Sequence, residues 1–296
     1  LTLNATNNIY VYREMNATGT ASFAASYGHL LDANGNPTTM VSGAGNADGT
    51  PYGLYTYAGP PDRDNYRTVF FSRVNFSGSG SVILNGKPYT VINKASDLLN
   101  VKDNLDGNYV LGSDIGGLKD SITGMDAFTG NFNGLGHRIR SSGVTATGLF
   151  GTIGANATLS NLGIVESWFP AAADPSVAVP AVGMLANVNH GTIINSFIGN
   201  DGNYGSLENS NIIVVGGLVG KNSGLIAQCH NYSSYVHAKD IAGGLVGINE
   251  ASGRIIDSSA TRYSGQYNSC IRVSGQNPNG ITYVGGLVGK NYGHIE

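Results

Sequence analysis

Few residues in this sequence could do covalent chemistry. Acids and bases crowd at Asp62, Arg63, Asp64 and Arg67, and a second acidic pair is Asp201 with Glu208. Clustered carboxylates beside a base, sometimes with calcium, are what a polysaccharide lyase or hydrolase needs to move protons around a glycosidic bond. Both groups lie in turns rich in Gly, Asn and Pro. Neither falls where the internal repeat would stack it on another acid, so solvated turn acids are expected and no catalytic residue is assigned. Asp32-x-Asn34-Gly35-Asn36 has part of a calcium loop, but the glycine is misplaced and no acid closes the loop at the right distance. The six histidines show no i, i+4 pair and no cysteine at finger spacing, which argues against a metal site. No Gly-x-Gly-x-x-Gly precedes a helix and no phosphate loop is present, so no cofactor is expected.

Non-covalent recognition is better supplied. Tyr52, Tyr55 and Tyr57 sit in one turn-rich stretch. Trp168, Tyr204, Tyr232, Tyr235, Tyr263 and Tyr267 are spread over later ones. Aromatic faces that stack on sugar rings, beside Asn and Asp that bond the hydroxyls, make a glycan-binding surface. Each aromatic taken singly could equally cover the end of an exposed β-coil. Cys229 and Cys270 are the two cysteines. A buried free thiol at Cys229 and a disulfide to Cys270 are both open, with the thiol the simpler reading.

The elements that position these residues come from a repeat. Gly216-Gly217-Leu218-Val219-Gly220-Lys221-Asn222 returns at 243–249 and at 285–291, with weaker copies at Gly183-Met184-Leu185 and Gly148-Leu149-Phe150-Gly151. Each is followed by a second signature, as in Gly191-Thr192-Ile193-Ile194-Asn195-Ser196 and Gly224-Leu225-Ile226-Ala227-Gln228-Cys229. Origins at Gly148, Gly183, Gly217, Gly244 and Gly286 are spaced 35, 34, 27 and 42 residues apart. Strands this short cannot bury an apolar face alone. Coiling stacks each on the one before, at about 4.8 Å, and closes a continuous core. A propeller blade would need about 40 residues and four strands, which the 27-residue spacing does not allow. The expected fold is all-β: a right-handed parallel β-helix of roughly ten coils, about 50 Å long. Glycines at the corners would supply positive φ or close approach. In the second signature, Asn195, Gln228 and Asp257 share a column that could form an amide or acid ladder, and Cys229 shares one with Leu162, Ser196 and Ser258.

Composition agrees. Glycine numbers 44 and charged residues are 12%, against about 25% in ordinary soluble domains, so long charged helices are not expected. The net charge of −3 leaves no basic footprint for nucleic acid or an anionic membrane. No apolar run reaches the ~18 residues needed to cross a bilayer. Residues 1–120 read as the start of a β-helix, with a large excursion at 29–66, an Asn85-Gly86 hairpin turn and one short helix near 96–105 capped by Ser96. Residues 121–296 read as the repeat region, continuous with it. Length varies at 166–181, 199–213, 232–241 and 262–283, so these loops should gather on one flank. The chain starts in mid-pattern and stops inside a repeat, as a piece of a longer protein would.

Gly-Leu-Val-Gly followed by Asn and a Gly-x-Ile turn resembles the GLUG repeat of large bacterial surface proteins. Residues 97–99 with 107–115, and 128–139, are similar to the segments that precede such repeats. Leu1-Thr2-Leu3-Asn4-Ala5 with Ile9 and Val11 is similar to a β-helical repeat of filamentous haemagglutinin. The resemblance implies a two-partner-secretion exoprotein of the filamentous haemagglutinin and high-molecular-weight adhesin type. It implies export through an outer-membrane transporter, a secreted or surface location, no enzyme activity, and a monomer that binds host-cell glycan or glycoprotein through inserted loops. A passive shaft and a polysaccharide-degrading β-helix are the alternatives. Residues 29–66 and 262–283 match none of these repeats, and Asn277-Pro278-Asn279-Gly280-Ile281 reads as a turn rather than a secretion motif. Because some such adhesins are glycosylated on asparagine, the resemblance also raises partial occupancy at the sequons of Asn4, Asn16, Asn75, Asn156 and Asn231.

Overall fold

The structure, a computed structural model, describes residues 1–40, 45–56, 72–118, 121–122, 126–142, 148–169, 179–199, 205–208, 212–232, 234–260, 271–273 and 283–296. Asp62, Arg63, Asp64, Arg67, Asp201, Tyr57, Tyr204, Tyr263, Tyr267, Cys270 and 277–281 lie outside the described residues.

Short parallel strands dominate. Ile212–Gly216, Val219–Asn222, Leu225–Ala227 and His230–Asn231 each lie in a different sheet. The chain then returns to the first three sheets one strand further on, at Ile241–Gly243, Val246–Asn249 and Arg254–Ile256. This is the coil that the repeat spacing requires. The longest sheet has eleven strands, from Thr2–Asn4 to His294–Ile295. All its pairings are parallel except the hairpin of Val82–Leu84 with Lys87–Ile92. Asn85 and Gly86, with φ of 48 and 73, form the turn of that hairpin as expected.

Alternation builds the core. Phe132, Leu159, Ile193, Ile226 and Ile255 occupy one register column and are fully buried. Leu149, Leu185, Leu218 and Leu245 are buried one strand earlier in their coils. Each such side chain contributes about 1.5–3 kcal/mol by leaving water. The register corrects the alignment of one copy: Gly183 pairs with Gly216, so Met184, not Gly183, stands at the Gly217 position. A buried Met fits there. The preceding column, Gly183, Gly216, Gly243 and Gly285, is glycine throughout because a Cβ would meet backbone there, that of its own coil and, at Gly183, Gly216 and Gly243, that of the next coil as well. None of these four has positive φ. The left-handed corner is held instead by Asn161, Asn195, Gln228 and Asp257, with φ of 44 to 54. Asn and Asp tolerate that region better than other side chains do.

The asparagines at 189, 222 and 249 are buried, and the last of the column, Asn291, is exposed. Asn189 donates to the Asn222 carbonyl at 2.7 Å, Asn222 to Asn249 at 2.8 Å and Asn249 to Asn291 at 2.8 Å. In the coils before, the same column holds Ile153 and Phe128. The ladder therefore begins at Asn189, one coil before the first strong copy.

The first 92 residues form their own coils. Thr2–Asn4, Ile9–Val11 and Met15–Ala17 pair in parallel with Phe23–Ser26, Leu54–Thr56 and Val74–Phe76. Their core of Phe23, Leu54, Val74, Phe76 and Leu84 includes Val110 and Leu135. Tyr109 and Leu111, on either side of Val110, belong to the main core. The strand Asn108–Leu111 thus has a core on each face. Near 96–105 the helix is Ala95–Leu99, followed by a 3-10 turn at Asn100–Asp103. Leu98 and Val101 anchor it. Its cap residue is Lys94 with no side-chain bond, and the Ser96 hydroxyl turns to Asp97 instead.

Cys229 is a free thiol, fully buried in the column of Leu162 and Ser196. Burial pushes it up to about 12. At pH 8 it stays protonated, so a thiol reagent should label it at the rate of unfolding and no faster. Prompt labelling of native protein at Cys229, mapped by mass spectrometry, would contradict this.

Candidate functional site

The outer face of the long sheet carries the site. Around the inward Phe132 and Leu159, the flanking positions Asn131, Asn133, Thr158 and Ser160 point outward. In the later coils the Ser160 column continues as Ile194, Ala227 and Ile256, which are apolar yet outward. Tyr55 covers them, making a small apolar cluster.

The excursion brings Tyr55 there. Its first part is a hairpin, His29–Leu31 with Pro37–Met40. The turn explains the apparent calcium motif: Asp32 Oδ1 accepts the N–H groups of Asn34 and Asn36, both at 2.8 Å. These bonds hold the Asp32 carboxyl below its usual range. Among the described residues no group of three His, Cys, Asp or Glu is placed to hold a metal ion. The strand Leu54–Thr56 then docks on the corner amides. Asn161 donates to the Leu54 carbonyl at 2.7 Å and its Oδ1 accepts the Thr56 N–H at 3.1 Å. Asn195 donates to the Thr56 carbonyl at 2.9 Å and to Asn161 Oδ1 at 2.7 Å. Asn161 in turn donates to Asn133 at 2.9 Å. Within the corner column Asn161 and Asn195 bond to each other and together hold the excursion, while the Gln228 and Asp257 side chains do not extend this as a ladder.

Between excursion and sheet lies a cavity of about 180 Å³. Tyr27, Tyr52, Tyr55 and Tyr89 form its walls, with Pro51 and Gly53, and Asn131, Asn133, Thr158 and Ser160 its floor. The Tyr55 hydroxyl is fixed on the Pro51 carbonyl at 2.6 Å. Burial pushes the Tyr27 phenol up to about 12, and pushes Tyr55 and Tyr89 up as well. All three remain neutral donors at any physiological pH. The floor is only partly used. Asn131 donates to Asn108 at 2.7 Å, and Asn133 Oδ1 accepts from Leu135 at 2.9 Å and from Asn161. The Thr158 and Ser160 hydroxyls, the Asn131 carbonyl and the Asn133 NH₂ make no bond to the described residues.

Of the expected binding residues, Tyr52 and Tyr55 line this cleft. Trp168 and Tyr235 are placed by their strands alone. They share a register column through Ser206, in a parallel stack formed by Gly163–Phe169, Gly205–Glu208, Ser234–Ala238 and Ile271–Val273. The described strands of the four variable segments thus pair side by side. Tyr232 is half-buried beside Phe197 and His230, at ring distances of 6.2 and 5.6 Å. Tyr27, Tyr89 and the polar floor were missed, although two asparagines flanking one Phe in a strand is an outward-polar signal.

One acid-base cluster also went unnoticed. Asp114 accepts from the Arg138 N–H at 3.0 Å, pairs with Arg73 at 3.3 Å and meets His137 Nδ1 at 3.2 Å. Burial raises the Asp114 carboxyl, but His137, Arg73 and the Arg138 N–H together bring it below its usual range. His137 is 1% exposed and its Nε2 faces the Val74 carbonyl at 3.1 Å. Both ring nitrogens are occupied, so this cluster ties the N-terminal coils to the main core rather than serving a substrate. Among the sequons, Asn231 is buried and donates to the Gly244 carbonyl, which takes its amide out of reach of a glycosyl donor. Asn4 and Asn75 are half-buried and bonded, to the Gly35 carbonyl and to Glu14 and Asn16. Asn16 and Asn156 are exposed.

No helix among the described residues is long and apolar enough to cross a membrane. No family model matches the chain, and no curated protein matches it. Among solved structures it is similar to a protein of Bacteroides ovatus described as a "putative immunoglobulin A1 protease", at 18% identity over 70% of this chain and 75% of that one, with a TM-score of 0.45. A likeness that distant bears on neither fold family nor activity.

Proposed function

We propose that this chain is a glycan-binding module of a secreted or surface-displayed bacterial adhesin, with GLUG-type repeats and export by a two-partner route. The supporting observation is the cleft: four tyrosines facing a floor of amides and hydroxyls, with no acid or base among its described lining residues. Such a lining binds polyols and carries no proton-transfer group, which favours recognition over hydrolysis. The coil is proposed to be right-handed, because crossovers between parallel strands of one sheet take that hand in about 98% of cases. The variable stack on the flank is a second surface, and repetition along a surface would raise weak single-site affinity. A glycan array probed with the folded chain should show binding to a subset of host-type glycans. Folded protein that binds none of them, nor host cells, would favour a passive shaft. Release of new reducing ends from a bound polysaccharide would favour the enzyme.

A further inference from the structure

Resting on that reading of the cleft, we infer that its ligand is one uncharged terminal sugar residue, a neutral hexose or N-acetylhexosamine, and not a sialic or uronic acid. Size is the first reason. The cavity of about 180 Å³ is small, on the scale of a single sugar ring with its hydroxyls. It is well short of the ~300 Å³ and upward that larger ligands fill.

Charge is the second. The described lining has no Lys, Arg or His to meet a carboxylate. Asp48 lies close enough to Tyr55 to disfavour negative charge on its phenol. An anionic sugar would lose its hydration with no cation among the described lining residues to replace it.

Hydrogen bonding is the third. The open floor groups are two hydroxyls, one carbonyl oxygen and one NH₂, a mixed donor and acceptor set. Sugar hydroxyls both donate and accept, so they can satisfy all four, while the ring C–H face lies on Tyr52 or Tyr27. A quaternary ammonium would suit the tyrosines and Asp48 but would leave this floor unpaired.

The test is ligand titration followed by NMR, using methyl glycosides of neutral hexoses and N-acetylhexosamines, methyl sialoside, methyl glucuronide and choline. At least one neutral glycoside should bind in the millimolar range, with affinity flat from pH 5 to 9 because burial keeps the Tyr27, Tyr55 and Tyr89 phenols protonated through that window. Tyr52→Ala should weaken it at least tenfold, and Thr158→Val with Ser160→Ala at least threefold, at unchanged melting temperature. If Tyr52→Ala does not fold, the floor pair alone decides. Tighter binding of sialoside, glucuronide or choline than of any neutral sugar overturns the inference. So does neutral-sugar binding indifferent to both variants, which leaves a glycan binder with its site elsewhere. Absence of binding to every sugar, here and on the array, overturns the functional proposal itself.

Discussion

Asn222→Leu is expected to destabilise the chain by roughly 3–5 kcal/mol and to lower its melting temperature by about 10 °C. Leucine has nearly the same shape, so no cavity is made. The loss is polar. Asn222 sits between two fully buried neighbours, accepting from Asn189 and donating to Asn249. Removing it leaves the Asn249 carbonyl oxygen without that partner and weakens the anchoring of Asn189. It also frees the Gly224 carbonyl, which Asn222 holds at 3.2 Å. Each buried group left unpaired costs about 1–3 kcal/mol. Asn291 ends the same ladder and is exposed, so Asn291→Leu should cost about 1 kcal/mol or less. Thermal melts of the two variants compare the positions directly. Equal, small losses at both would mean that the ladder contributes little.

Gly243→Ala should have an effect at least as large. A Cβ there would collide with the Val246 carbonyl oxygen and lie 2.5 Å from the Gly289 amide nitrogen, which belongs to the next coil. Ordinary overpacking costs about 1–3 kcal/mol because side chains can move aside. Here the blocking atoms are backbone on two coils, so relief requires unstacking them, and about 4 kcal/mol or outright loss of the coil is expected. Since repeats contact their neighbours, the damage should spread to both adjacent coils as faster amide exchange. Gly286→Ala meets nothing within 4 Å and should be nearly silent. A native-like exchange pattern in Gly243→Ala would show that the coils tolerate separation.

Much of this fold was legible because its signals are local and repeated. Alternation, short strand length and recurring Gly-Leu-Val-Gly required stacking, and the structure stacks them. Asn85-Gly86 declared its hairpin. The amide column at Asn195 was also readable, since Asn161, Asn195, Gln228 and Asp257 align without a gap. The purpose of that column was not readable. It depends on Leu54–Thr56 arriving from more than a hundred residues away, and no local pattern encodes a partner that remote. The burial of Asn222 was hidden for a different reason. An Asn after a strand looks like a turn residue, and only the coil-to-coil register makes it a core one. The corner glycines were given two possible roles, and the structure divides them: glycine for close approach, Asn and Asp for the left-handed corner.

For the site, composition pointed to aromatics with amides but not to which ones. Tyr52 and Tyr55 were within reach because they sit in the excursion. Tyr27, Tyr89, Asn131 and Ser160 come from four other segments, and only the two-core arrangement around Asn108–Leu111 brings them together. The outward Ile194, Ala227 and Ile256 were the available clue, since apolar residues on an outer face need a cover.

The most direct test of the account is a crystal structure of this chain with the neutral sugar that binds it best. That sugar should lie in the cleft between the excursion and the long sheet, with its ring on Tyr52 or Tyr27 and its hydroxyls on Asn131, Asn133, Thr158 and Ser160. Sugar bound instead along the stack of 205–208, 234–238 and 271–273, with the cleft occupied by water alone, would contradict it.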